Sequence, residues 1–187
     1  MIILLFKLII KMSQKQFSSY ITLPKRLSNF EKVLEFNKAF GVKSNTEIQH
    51  EIFDKDPKLV QYRLALIEEE VNELKQAIKE KDMVETIDAL ADSLYVILGA
   101  ATAFGFDADQ AFDLVHKSNM SKLCETEEDA IETVRLYQME VPQRYDSPAY
   151  RRSDDNIHWV VYNQSTMKIL KNYKYCPVSF TSLLTKN

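Results

Sequence analysis

Five carboxylates between Glu70 and Asp92 have the spacing to act together. Glu70 and Glu73 stand three residues apart, on one face of a helix. Glu85, Asp88 and Asp92 follow at intervals of three and four, so they share one stripe of the next helix. From Asp82 to Val115 the chain contains no Lys and no Arg, and nearly every other residue from Met83 to Phe104 is apolar or small. Glu70 falls among Leu66, Leu74 and Ala77, inside an apolar face, whereas Glu68 points away. Burying an isolated charge is prohibitive, so such carboxylates must be protonated, paired at a distance or bound to cations. Cation binding is the reading adopted. Donors that are all oxygen suit a hard ion, and Mg²⁺ is the default because it keeps several waters and accepts substrate phosphates. Without histidine ligands, zinc and iron are disfavoured. A di-iron bundle would need an ExxH motif on each of two helices. Glu47-Ile-Gln-His50 supplies one, and Asp113 to His116 gives DxxH. Glu68, Lys75, Lys79 and Glu80 are read as a solvated helix face.

Two successive helices must carry these groups, joined by a polar bend at Glu80-Lys81-Asp82. Pro57 sits where a helix can start, and a long helix is expected from about Lys58 to Glu80, with an apolar stripe of Leu64, Ile67, Val71, Leu74 and Ile78. The next, from Met83 to Phe104, is apolar nearly all round and belongs in the centre of a bundle or at a subunit interface. Gly105 ends it, and Asp107 caps a further helix from Ala108 to about Lys117. Upstream, Ser28-Asn-Phe-Glu31 is a capping box opening a helix that ends at Gly41, followed by a polar connection with room for one helical turn. Beyond Cys124 the character changes. An acidic amphipathic helix is expected from Thr126 to Gln138, then a polar stretch from Pro142 to Asp155. A β-hairpin follows, Trp159–Tyr162 and Lys168–Tyr173 about a turn at Asn163–Thr166.

The fold class expected is mainly α: a helical core over 28–125, an N-terminal extension over 1–27, and a helix-plus-hairpin appendage over 126–187. The chain is 45% hydrophobic, ample for a core, and its formal charge of -3 carries no whole-chain nucleic-acid signature. The five prolines all lie outside Lys58 to Val141, which favours long helices there. Cys124 and Cys176 are too few and too far apart for a disulfide framework, so a reducing, cytoplasmic setting is expected. The run MIILLFKLIIKM is about half the ~20 residues that span a bilayer. It is read as an extension upstream of a start at Met12, with no membrane partner expected.

The acidic pattern carries a resemblance. Glu69-Glu70-Val-Asn-Glu73, then Glu85-Thr-Ile-Asp88 and Asp92-Ser-Leu-Tyr95, resembles the EExxE…ExxD signature of the all-α nucleoside triphosphate pyrophosphohydrolases, the MazG-like and phosphoribosyl-ATP-pyrophosphohydrolase-like proteins. Phe36-Asn37-Lys-Ala-Phe40-Gly41 is similar to the family's first helix, where His is common in place of Asn37, and Arg63 matches an arginine ahead of the acidic motif. Val115 to Lys122, ending Ser118-Asn119-Met-Ser-Lys122, is similar to the segment closing the core. Lys168-Ile-Leu-Lys171-Asn-Tyr173 with Pro177 is similar to a GKxLKxxxYxxP tail, with Met167 in place of its Gly.

The resemblance implies hydrolysis of a nucleoside triphosphate, such as dUTP or dCTP, between the α and β phosphates. Mg²⁺ is the implied cofactor, with Mn²⁺ able to substitute, and the assembly implied is a dimer or tetramer. Metal ligands would come from Glu70, Glu73, Glu85, Asp88 and Asp92, and either Glu85/Asp88 or Asp88/Asp92 fits the ExxD position. Glu69 is the candidate for activating water. Lys122 suits phosphate and Asn119 base or sugar; Asn37, Arg63, Lys168 and Lys171 are further substrate contacts, and Tyr95 either stacks on the base or packs in the core. The rival is a non-catalytic oligomerisation module of the same descent.

Overall fold

The computed structural model describes residues 26–185, so the reading of Met12 as the start falls outside it. Described residues form seven helices and one small sheet: α1 (Asn29–Phe40), α2 (Ile52–Lys55), α3 (Pro57–Glu80), α4 (Met83–Phe104), α5 (Ala108–Met120), α6 (Glu127–Met139), β1 (Pro148–Arg152), β2 (Trp159–Asn163), β3 (Lys168–Ile169) and α7 (Thr181–Leu184).

Local chemistry sets the helix ends. At α1 the capping box forms in both directions: Glu31 N donates to Ser28 Oγ at 3.0 Å, and Ser28 N to Glu31 Oε2 at 2.7 Å. The sharp link between α3 and α4 uses two residues. Lys81 adopts a left-handed conformation (φ 59°), and Asp82 accepts from Val84 N and Glu85 N. Gly105 closes α4 at φ 82°, where a Cβ would stand 1.9 Å from the Glu47 carbonyl oxygen. No side chain fits there.

The hairpin of α3 and α4 is the main packing unit, with α1 against α4 and α2 against α3. Phe30, Val33, Ile52, Ala77, Ala89, Ala101 and Ala103 are buried in this helical part. One face of α4 stays open. Met83, Ile87, Leu90, Leu94 and Ile97 recur at four-three-four-three spacing and are exposed, Ile87 by 62%. Helix α4 is long and apolar enough to cross a membrane, but the stripe of Glu85, Asp88 and Asp92 along it speaks against a lipid-facing span.

The appendage differs from the expected hairpin. Its sheet has three antiparallel strands in the order β1-β2-β3, and β1 comes from the stretch Pro142 to Asp155, expected to be polar and without a strand. The second arm is shorter than expected, because after Ile169 the chain leaves the sheet and turns back onto the end of α5. A second core lies here: Cys124, Ala130, Val161 and Leu170, flanked by Val134, Tyr137, Tyr145, Tyr150 and Trp159.

Candidate functional site

The tight turn at Lys81-Asp82 makes α3 and α4 antiparallel, and one contact fixes their register. Arg63 of α3 lies against Gly99 of α4, where a Cβ would meet Nη1 at 3.2 Å. Seven residues on from Arg63 and seven back from Gly99, Glu70 comes level with Asp92. Glu73 then falls between the levels of Asp88 and Asp92, while Glu85 sits nearer the turn, level with Ala77.

The electrostatics follow that register. The Glu70 carboxyl is held above its ordinary value, first by burial and then by the charges of Glu73, Asp92, Glu69 and Asp88. Its Oε2 is buried with no hydrogen-bond partner, and so are Arg63 Nε and Ser93 Oγ within the same two helices. Buried polar atoms without partners are rare in folded proteins and mark a group awaiting a proton, a water or an ion. The surrounding donors are hard carboxylate oxygens, which fit a hydrated Mg²⁺-type ion. They encircle Glu70 without converging: among the described residues, no three His, Cys, Asp or Glu side chains stand close enough to enclose a metal. An ion held here would complete its shell with water and ligand oxygens.

The remaining expected residues divide. Glu69, Glu73, Glu85, Asp88 and Asp92 are exposed along the hairpin. Tyr95 meets Phe36 edge-on at 5.7 Å, and Phe36 stacks on Phe40 at 4.3 Å, so its ring belongs to an aromatic contact between α1 and α4. Asn37 was expected to bind substrate, but the structure spends its amide internally. It is 4% exposed, and its Nδ2 donates to Ser44 Oγ at 2.9 Å and to Thr102 Oγ1 at 3.0 Å, tying α1 to α4. Lys122 Nζ donates to Asn119 Oδ1 at 2.7 Å at the end of α5. Lys168 and Lys171 were expected over the phosphates. They lie instead above tyrosine rings of the appendage, 5.3 Å from Tyr145 and 4.4 Å from Tyr175, drawn by cation–π attraction. Sequence reading missed Ser93 and Gly99. The small residues facing α3 were the available signal, since they let a charged side chain approach the helix.

Residues 33–119 match the family model described as phosphoribosyl-ATP pyrophosphohydrolase. An uncharacterised protein of Acanthamoeba polyphaga mimivirus is 29% identical, over 85% of this chain and 96% of the relative. The matched segment contains the whole α3–α4 hairpin with its carboxylates and ends at Asn119. Residues 33–119 are thus similar to the phosphoribosyl-ATP pyrophosphohydrolase family, which belongs to the MazG-like all-α superfamily.

Proposed function

We propose that the chain is a Mg²⁺-dependent nucleoside triphosphate pyrophosphohydrolase that releases a nucleoside monophosphate and pyrophosphate. The observation that carries this is Glu70: a buried, unpartnered carboxylate oxygen pressed by four neighbouring carboxylates. The family match supports pyrophosphohydrolase chemistry, and the substrate is our own reading.

Glu70, Glu73, Asp88 and Asp92 are the residues that would hold the ion, and Asp88/Asp92 is the pair on α4 whose charges act on Glu70. When bound, Mg²⁺ supplies charge neutralisation of the triphosphate and a lowered pKa for coordinated water. Glu69, exposed one position before Glu70, orients the attacking water and accepts its proton on the carboxylate. Arg63, Asn119 and Lys122 hold the substrate, with Lys122 as a point charge toward phosphate. Substrates of the dUTP or dCTP kind and a role in cleansing the cytoplasmic nucleotide pool complete the proposal.

The assembly proposed is a homo-oligomer. The open stripe on α4 continues onto α3 through Leu64, Val71 and Ile78, and two such hairpins, each antiparallel, can close a four-helix bundle. That open face also favours the second reading, a non-catalytic oligomerisation module. The two are separated by incubating the purified chain with a nucleotide panel, with Mg²⁺ or with a chelator. Monophosphate and pyrophosphate formed with Mg²⁺ alone support the enzyme. A chain that neither hydrolyses nor is thermally stabilised by Mg²⁺ with a non-hydrolysable triphosphate is the module.

A further inference from the structure

After Ile169 the chain crosses back to α5 and closes over its C-terminal turn. Asn172, 7% exposed, donates from Nδ2 to the Ser121 carbonyl at 2.9 Å and the Leu123 carbonyl at 2.5 Å. Its Oδ1 accepts from Lys174 N at 2.5 Å, which locks the amide orientation. Four residues on from Lys171, Tyr175 reaches Ser118 at 2.9 Å between hydroxyls. Ser118 Oγ also donates to the Cys176 carbonyl at 2.9 Å, so its single proton is committed and the Tyr175 hydroxyl is the donor in that pair. Cys176 N donates to Ser121 Oγ at 3.0 Å, and Ser121 Oγ to the Ser118 carbonyl at 2.7 Å.

The last carbonyls of a helix lack intrahelical partners, and glycine at the following position is the common solution. Here Ser121 is right-handed and the last helical carbonyls are met locally, Lys117 by Ser121 N, Asn119 by Lys122 N and Met120 by Leu123 N. The two carbonyls just beyond the helix, Ser121 and Leu123, are satisfied from about fifty residues further along the chain. Ser118, Ser121 and Leu123 are all anchored to the same returning segment, and Asn119 and Lys122 stand between them. Lys171, next to Asn172, lies over the Tyr175 ring at the same end.

We infer that the Leu170–Cys176 segment is a clasp, with Asn172 and Tyr175 as positioning residues that set the geometry of Asn119 and Lys122 for the substrate. This rests on the assignment of Asn119 and Lys122 to substrate. The appendage is on this account part of the binding end of the enzyme.

The test compares Asn172→Asp, which keeps the shape but sets a carboxylate against two carbonyls, with Tyr175→Phe, which removes one hydroxyl. In Asn172→Asp, hydrogen exchange at the Lys122 and Leu123 amides is expected to accelerate. Its KM for the Mg²⁺ nucleotide is expected to rise roughly tenfold, with kcat held within about twofold. In a Lys122→Met background the same change is expected to add nothing to KM, because both act through one ammonium. Should Asn172→Asp not fold, Tyr175→Phe is expected to show the same pattern at roughly threefold. A folded variant with unchanged exchange and KM overturns the inference, and so does a KM effect that adds to that of Lys122→Met. A wild-type chain that hydrolyses no nucleotide overturns the site assignment and the clasp with it. An active wild type whose variants keep their KM overturns the clasp alone.

Discussion

Arg63 and Gly99 are matched across the α3–α4 interface: the guanidinium occupies the space a side chain on Gly99 would take, with Nη1 3.2 Å from a Cβ placed there. Arg63 also lies 5.8 Å over the Tyr62 ring, and its Nε is buried without a partner. Gly99→Ala would gain up to ~1 kcal/mol of helix propensity while pushing the guanidinium aside. The expected outcome is a Tm equal to or above wild type with KM raised severalfold. Arg63→Ala should raise KM further. A KM unchanged in both variants removes Arg63 from the substrate site.

Glu70 gives a pH dependence of definite sign. Its folded carboxyl is raised, so the folded state holds the proton more tightly than the unfolded state. Stability present at low pH is therefore lost as pH rises through the raised value. Glu70→Gln abolishes that loss. In metal-free buffer at neutral pH its Tm should exceed wild type by a few degrees, with the difference vanishing below the ordinary glutamate range. Added Mg²⁺ should raise the Tm of wild type and leave Glu70→Gln unmoved. Thermal scans across pH, with and without Mg²⁺, read both effects.

Asp129 behaves in the opposite sense. Lys174 and Tyr173 donate to its carboxylate at 2.9 Å each and hold it below its ordinary value. That stabilisation is present above the unfolded carboxyl value and is lost as pH falls through the lowered one. Asp129→Asn is expected to lower Tm by several degrees at neutral pH and by progressively less toward acid, because it loosens α6 from the clasp segment.

The two cysteines should separate chemically. Burial pushes the Cys124 thiol up, and the residue is 1% exposed in the appendage core, whereas Cys176 is exposed. Thiol titration of the native protein is expected to modify Cys176 alone, with Cys124 reacting after denaturation. Rapid modification of both would mean that the core of Cys124, Ala130, Val161 and Leu170 opens readily.

The helical part was legible because its signals are local. Periodicity and caps place α4 at Met83–Phe104, and the Ser28 capping box forms as its spacing implies. The carboxylates could be grouped because three- and four-residue spacing fixes a helix face. Register between helices is not local, so sequence left Glu85/Asp88 level with Asp88/Asp92; the Arg63–Gly99 contact is what sets Glu70 beside Asp92. Strand β1 was missed because Pro148-Ala-Tyr-Arg-Arg152 is an edge strand, paired on one side, and keeps a polar sequence. Asn172 looked like a strand residue, and Asn37 like a ligand contact, because a polar residue's partner dozens of positions away leaves no periodic trace.

The central claim is that Glu70 and its neighbours hold a Mg²⁺-bound triphosphate for cleavage between the α and β phosphates. Product analysis of wild type and Glu70→Gln under single-turnover conditions tests it most directly. Equal amounts of nucleoside monophosphate and pyrophosphate from wild type, with at least a hundredfold slower release from Glu70→Gln, is the predicted result. Diphosphate with orthophosphate as products, or a Glu70→Gln enzyme as fast as wild type, would contradict it.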